Sequence, residues 1–308
     1  MLESFAVVGT QVLILFVMIC LGFFAGKVKI INEPGIKCIN DIMLYIVNPC
    51  VIIEAFQRPF DPQMLGNLLK VIGGAFLGHL LFIGIAFCLF GKNEQKKKAV
   101  LRFAIMFSNC GFMALPLLDA LLGDEGVFYG AGYVVVFNLL VWSLGQYMMA
   151  KGEEGFSTRK IIINPGVIAC AIGVTMFVSS ISLPQIILSP VEYLAALNTP
   201  VPMLIIGYTI SKMKFGDIFT SWEVYPAVIS RLVLCPIILL AILYVIGYRG
   251  NMLIALTVSS SAPVGAMTTM FSIKFNKDVN LSSKAVSLST LFSVITMTVI
   301  VGIARFIA

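Results

Sequence analysis

The sequence of 308 residues is 59% hydrophobic and only 12% charged, with mean hydropathy +1.00 and a formal net charge of +6. A soluble domain carries about 25% charged residues, so the composition excludes one and points to an integral membrane protein. The positive charge is no argument for a nucleic-acid partner, because membrane topology accounts for where the basic residues fall.

Apolar runs of about 18 residues or more, rather than alternation over about 10, predict an all-α protein. Ten spans are predicted, at roughly 5–26, 36–57, 64–90, 98–122, 126–150, 160–181, 186–211, 222–247, 250–273 and 281–307. Their connections are short. The seven cysteines, Cys20, Cys38, Cys50, Cys88, Cys110, Cys170 and Cys235, form no CxxC pair, and neither disulfides nor a metal site is expected.

With the N-terminus outside, the inner loops hold Lys27, Lys29, Lys37; Lys92, Lys96, Lys97, Lys98, Arg102; Lys151, Arg159, Lys160; Lys212, Lys214; and Lys274, Lys277, Lys284, which is 16 of the 21 basic residues. The positive-inside rule therefore predicts a multi-pass plasma (bacterial inner) membrane protein with both termini outside. The basic segment Lys92–Arg102 can also touch anionic lipid.

Ten spans divide into two inverted repeats of five, residues 1–150 and 151–308. Asn48-Pro49 in the second span matches Asn198-Thr199-Pro200 in the seventh, and Pro116 in the fourth matches Pro263 in the ninth, each about 150 residues apart. The fourth span carries Ser108-Asn109, then Gly111, then Pro116. Proline removes a backbone donor, and hydrocarbon supplies no substitute, so a broken helix survives only inside protein or beside water. Paired interruptions of this kind mark a transporter's substrate site.

Asn109 lies about ten residues, or ~15 Å, into its span. Its amide donates to a carboxylate and accepts from a cation's hydration shell. The break exposes donors on the outer half-helix, which favour an anion, and carbonyls on the inner half-helix, which favour a cation. The competing reading is that Asn109 satisfies carbonyls freed by Pro116. Ser259, Ser260 and Ser261, with Pro263 and Gly265, supply the crossing partner. Their hydroxyls either coordinate an ion or carboxylate, or bond back to their own turn. Asn48 and Asn198 either line a second layer of the cavity or satisfy kinks, and Asn138 reads first as a helix–helix contact. Arg231 either pairs with a carboxylate such as Glu54 or Asp119, neutralises an organic anion, or snorkels. His79, the only histidine, is either a packed hydrogen-bonded residue or a proton-coupling group. Asp119 either gates or contacts outer water. The candidate ligand-binding set is thus Asn109, Cys110, Gly111, Pro116, Ser260, Ser261, Pro263, Asn48 and Asn138. His79, Asp119 and Arg231 are candidates for coupling or gating.

No GxGxxG, Walker A, HExxH or GxSxG occurs, so an enzyme is not expected, no cofactor is implied, and transport has to be secondary or passive.

Ser108 through Leu118 resembles the auxin efflux carrier family, in which an asparagine is followed seven residues later by a proline, as Asn109 and Pro116 are here. The resemblance continues in Arg231 through Pro236, in Tyr248-Arg249-Gly250 and in Ala262-Pro263-Val264-Gly265 leading to Phe271, and it covers essentially the whole chain. The absence of a long inner loop between Trp142 and Asn164 makes it similar to the compact bacterial malate and malonate permease-like branch. The resemblance implies that the broken fourth and ninth helices cross at Pro116 and Pro263. It further implies that the asparagine helps hold a substrate carboxylate, and that helices 3–5 and 8–10 move as an elevator against a scaffold of helices 1, 2, 6 and 7. A homodimer and a possible Na+ or H+ coupling ion are implied as well. Gly111-Phe112 and the serines before Pro263 depart from the plant pattern, so a small mono- or dicarboxylate such as malate or malonate, rather than auxin, is the expected cargo. The alternatives are a membrane ligand sensor using the same crossover and a cation/proton antiporter, which wants acidic residues that the crossover lacks.

Overall fold

The computed structural model describes residues 2–91, 96–150, 165–213, 216 and 219–308. Lys92, Lys151, Arg159, Lys160 and Lys214, which entered the charge argument, lie outside these residues, as does the predicted start of the sixth span. The described residues are helical apart from turns and one antiparallel backbone bridge. In chain order the elements are α1 (Leu2–Lys27), α2 (Glu33–Ala55), α3 (Pro62–Phe90), α4 (Lys96–Met106), α5 (110–122), α6 (124–150), α7 (Pro165–Val178), α8 (Gln185–Ser211), α9 (Trp222–Val245), α10 (Gly250–Ser261), α11 (Met267–Lys274) and α12 (Val279–Ile307). The α5–α6 joint is Gly123, whose φ of 61° and ψ of −150° suit glycine and interrupt the helix.

Seven helical stretches among the described residues are long and apolar enough to cross a membrane, and α7 is a shorter apolar helix of 14 residues. Polarity runs inside out. On α1, Leu13, Val17, Leu21 and Phe24 form an exposed apolar stripe at helical spacing, and Ile295, Val299, Ile303 and Phe306 do the same on α12. Asn40, Asn48, Asn109, Asn138 and Arg231 are buried instead. Water would penalise both features, whereas lipid tails cover such stripes and leave the interior to the polar groups.

α1 packs along the second half of α8. A Cβ on Gly207 would lie 2.0 Å from the Ile19 carbonyl oxygen, so only a small residue permits this backbone approach. α2 packs on α7 and the first half of α8, while α3 packs on α4 and α6, and α10 on α5–α6, α9 and α12.

Three prolines inside helices leave a common mark. Wide π-turns at Met43–Val47, Cys110–Ala114 and Ser230–Leu234 end two residues before Pro49, Pro116 and Pro236. In each, the residue preceding proline donates to the carbonyl five back: Asn48 to Met43, Leu115 to Cys110 and Cys235 to Ser230. Proline cannot donate to the carbonyl four residues back and its ring clashes with it. Widening the preceding turn moves that carbonyl aside without breaking the helix.

This corrects one expectation. The fourth span does not cross the ninth at Pro116. α4 ends at Met106, the chain leaves the helix at Phe107–Asn109, and the bridge pairs Ser108 with Val264. Pro116 sits seven residues, ~10 Å, further along α5, where its π-turn absorbs it. Pro263 does lie in the second break: the residue before a proline disfavours the α region, and Ala262 is extended, with φ −58° and ψ 147°.

Candidate functional site

The two breaks run antiparallel and bond to each other. Asn109 N–H donates to the Pro263 carbonyl at 2.8 Å, and Gly265 N–H donates to the Phe107 carbonyl at 2.9 Å. Ser108 Oγ donates to the Ser259 carbonyl at 2.8 Å, and Val264 N–H donates to Ser289 Oγ at 3.0 Å. These four bonds satisfy six backbone groups left over by helix interruption, three N–H and three carbonyls.

The crossing brings the C-terminal ends of α4 and α10 together. Each helix end carries about half a negative charge from its free carbonyls. Arg231, fully buried at 0% exposure, answers both. Its Nη1 donates to the Ile105 carbonyl at 2.8 Å, and its Nη2 donates to the Ser260 carbonyl. The guanidinium also lies over Phe82, 4.6 Å from the ring centroid. The bonds found for Arg231 thus go to carbonyls of both half-helices rather than to Glu54 or Asp119. One full positive charge balances the two half charges of these carbonyl ends and leaves the positive N-terminal ends of α5 and α11 uncompensated.

Asn109 begins α5 and is 2% exposed. Its Nδ2 is buried without a hydrogen-bond partner. Such an amide is a buried donor that no protein group uses and that a ligand can take up. Beside it lies the first turn of α5, where Cys110 and Gly111 carry N–H groups that a helix start leaves without a carbonyl partner. The Cys110 thiol lies against these two N–H groups, close to Ser108. Asn198 Nδ2 donates to the Gly111 carbonyl at 2.7 Å, which ties the bend in α8 to the same turn. Asn198→Ala is expected to strand that carbonyl and cost about 1–2 kcal/mol, read as a lowered Tm of the purified protein. An unchanged Tm would show that the bond contributes nothing.

The other candidates are placed as follows. Ser260 Oγ and Ser261 Oγ bond back to the carbonyls of Thr257 and Val258, both at 3.1 Å; it is the Ser260 carbonyl, not its hydroxyl, that enters the crossing. Asn48 Nδ2 donates to Asn138 Oδ1 at 3.3 Å, and Asn138 Nδ2 to the Val134 carbonyl at 3.0 Å, joining α2 to α6. His79 Nδ1 donates to the Ala75 carbonyl at 2.8 Å, so that nitrogen carries the proton, and Nε2 is left as an unpartnered acceptor among Phe82, Phe107, Tyr133 and Phe137. Sequence reasoning missed Ser289. The signal was present in the buried Ser282, Ser289 and Ser293, which repeat at helical spacing on α12.

Two cavities stop short of the crossing, neither of them lined by Ser108, Asn109, Val264 or Gly265. One, of about 870 Å³, reaches Pro116 and Asn198 and is acidic: Glu54, Asp61, Asp119, Asp124 and Glu192 face it against the single base Arg58. Burial pulls the Arg58 guanidinium below its usual range, and Asp124 and Glu125 oppose that pull. The other, of about 940 Å³, carries Lys29, Lys37, Lys212 and Lys277 against Glu33, and reaches inward to Thr269.

Comparison with known proteins places the chain among transporters. The family described as "Membrane transport protein" matches residues 7–301. The chain is 26% identical over 299 residues to an uncharacterized transporter, MJ1031, of Methanocaldococcus jannaschii, covering 93% of this chain and 95% of the relative. It is 23% identical over 296 residues to an uncharacterized transporter of Methanothermobacter thermautotrophicus, at 93% and 95% coverage. It is 20% identical over 313 residues to the uncharacterized transporter YfdV of Escherichia coli K12, at 96% of each. With a family match across nearly its whole length, the chain belongs to the auxin efflux carrier-like family of membrane transport proteins.

Proposed function

We propose that this membrane transporter carries small organic anions, mono- or dicarboxylates such as malonate or malate, by secondary transport or facilitated diffusion. The observation that carries the reading is the buried, unpartnered Nδ2 of Asn109 at the crossing, beside the first-turn N–H groups of α5. Donors without a carboxylate nearby suit an anion. In this reading the ten predicted segments cross the membrane as two inverted repeats, both termini lie outside, and the lysine cavity opens to the cytoplasm. The crossing elements move as an elevator against α1, α2, α7 and α8, exposing the site to each cavity in turn. The close α1–α8 approach supports a rigid scaffold. Arg231 occupies the paired carbonyl ends that a coupling cation would otherwise use, so coupling through sodium at this point is not expected.

The test is Asn109→Ala. Losing one charge-assisted hydrogen bond costs about 1.5–3 kcal/mol, a loss in malonate affinity of about tenfold or more. The affinity is read from ligand-induced thermal stabilisation, which grows with the logarithm of ligand over Kd, and from vesicle uptake. If Asn109→Ala binds and carries every accepted carboxylate as well as wild type does, the site is wrong.

A further inference from the structure

The opposite charge of the two cavities is not explained by topology alone. The positive-inside rule places lysines on one face, but acidic residues contribute little to orientation, so it leaves the acidic cavity unaccounted for. On the lysine side a second feature points to a ligand. Thr269 is 7% exposed, lines the cavity, and its Oγ1 has no hydrogen-bond partner. It also lines the small cleft that continues inward to Ala266 and Met270, at the start of α11 and next to the crossing residue Gly265. A buried hydroxyl left unpaired at the inner end of a basic cavity awaits an acceptor. The rim agrees: Lys29 holds a left-handed backbone, φ 63°, a conformation that glycine or asparagine adopts more readily. A lysine there supplies charge that glycine would not.

We propose that the lysine cavity is a loading site for the carboxylate cargo, separate from the crossing. Lys29 and Lys212 draw the anion in, and Thr269 is the first buried donor it meets on the way to Asn109. The acidic cavity on the opposite face repels the same anion and serves release. A mouth lined by one sign of charge raises the local concentration of its counter-ion and the on-rate by 10-fold or more, and the effect falls with ionic strength. Loading from the two faces is therefore unequal. The inference rests on the anion reading of the crossing, and the experiment below separates the two.

Malonate flux is measured in inside-out and right-side-out vesicles at low and high salt. The proteins are wild type, Lys29→Gln/Lys212→Gln, Thr269→Val, Thr269→Ser and Asn109→Ala. The expected result is a KM raised about fivefold or more by the double lysine variant, only when malonate is presented to the lysine face, with the salt dependence of that KM removed. Thr269→Val raises KM on the same face and Thr269→Ser restores it, which a merely packed threonine would not do. Equal KM shifts on both faces, or none on the lysine face, overturn the loading site. If Asn109→Ala fails on both faces while the lysine and threonine variants behave as wild type, the crossing stands and the loading site falls. The reverse pattern keeps the loading site and removes the crossing as the binding point.

Discussion

Arg231→Ala is expected to lower the thermal stability of the purified protein more than Asn198→Ala or Asn109→Ala does. Two hydrogen bonds from a charged donor are lost at once, each contributing about 1.5–3 kcal/mol. The total of about 3–6 kcal/mol corresponds to a Tm drop on the order of 10 °C. The cause is electrostatic as well as geometric. Without the guanidinium, the carbonyl ends of α4 and α10 face each other with like partial charge in a site closed to water. Arg231→Lys keeps the charge but not the planar fork that reaches two carbonyls on different helices, so it is expected to recover less than half of the loss. Sodium is expected to leave the wild-type Tm unchanged and to raise that of Arg231→Ala, because the vacated carbonyl pair becomes a cation site. A Tm for Arg231→Ala within a degree or two of wild type would show that the two half-helices do not depend on this charge. A sodium-dependent shift in the wild-type protein would show that a cation site exists alongside the arginine.

Much of this fold was legible in the sequence because lipid imposes so few solutions. Most predicted segments fall within a few residues of helices among the described residues, for example 64–90 against Pro62–Phe90 and 281–307 against Val279–Ile307, while 98–122 and 250–273 are each split in two by a break and the start of 160–181 lies outside the described residues. What was not legible is where a proline acts. Pro49, Pro116 and Pro236 each sit two residues past the end of a π-turn and leave their helices continuous, whereas Pro263 lies in a true break. The local chemistry of the residue is the same in all four cases. The difference is tertiary: at Ser108 and Val264 the freed backbone groups find each other, and nothing in either segment alone records that partner. For the same reason Asn109 stands out in the sequence as a polar side chain at mid-span, while Arg231 reads as a partner for a carboxylate, a counter-charge to an organic anion or a snorkelling end, and not as a cap on two helix ends. A sequence shows which side chain bears charge, but the carbonyls it serves are identical along the whole backbone and acquire a location only when two helices end at one point.

Gly265→Val is expected to abolish transport while Gly111→Ala leaves the stability of the fold intact, although both add a side chain within the crossing. A Cβ on Gly265 would lie 2.9 Å from the Ser108 carbonyl oxygen and 3.1 Å from that of Phe107. These are backbone atoms, which cannot swing aside. The two breaks would have to part, and the rungs Asn109 N–H to Pro263 and Gly265 N–H to Phe107 lengthen together. Overpacking alone costs about 1–3 kcal/mol, and each rung lost in a dry interior adds about 1–3 kcal/mol more for the donor left bare. Malonate flux is therefore expected to fall more than 100-fold, since a loss of about 3 kcal/mol at the binding geometry already exceeds two decades. At Gly111 an added Cβ meets nothing within 4 Å, so Gly111→Ala is expected to keep the wild-type Tm. Its malonate affinity then reads out whether a carboxylate lies against the first turn of α5: a methyl group there shields the N–H groups from a ligand without disturbing the crossing. Wild-type flux in Gly265→Val would mean that the two breaks can separate without consequence, and the pairing of Ser108 with Val264 would then not be what holds Asn109 in place.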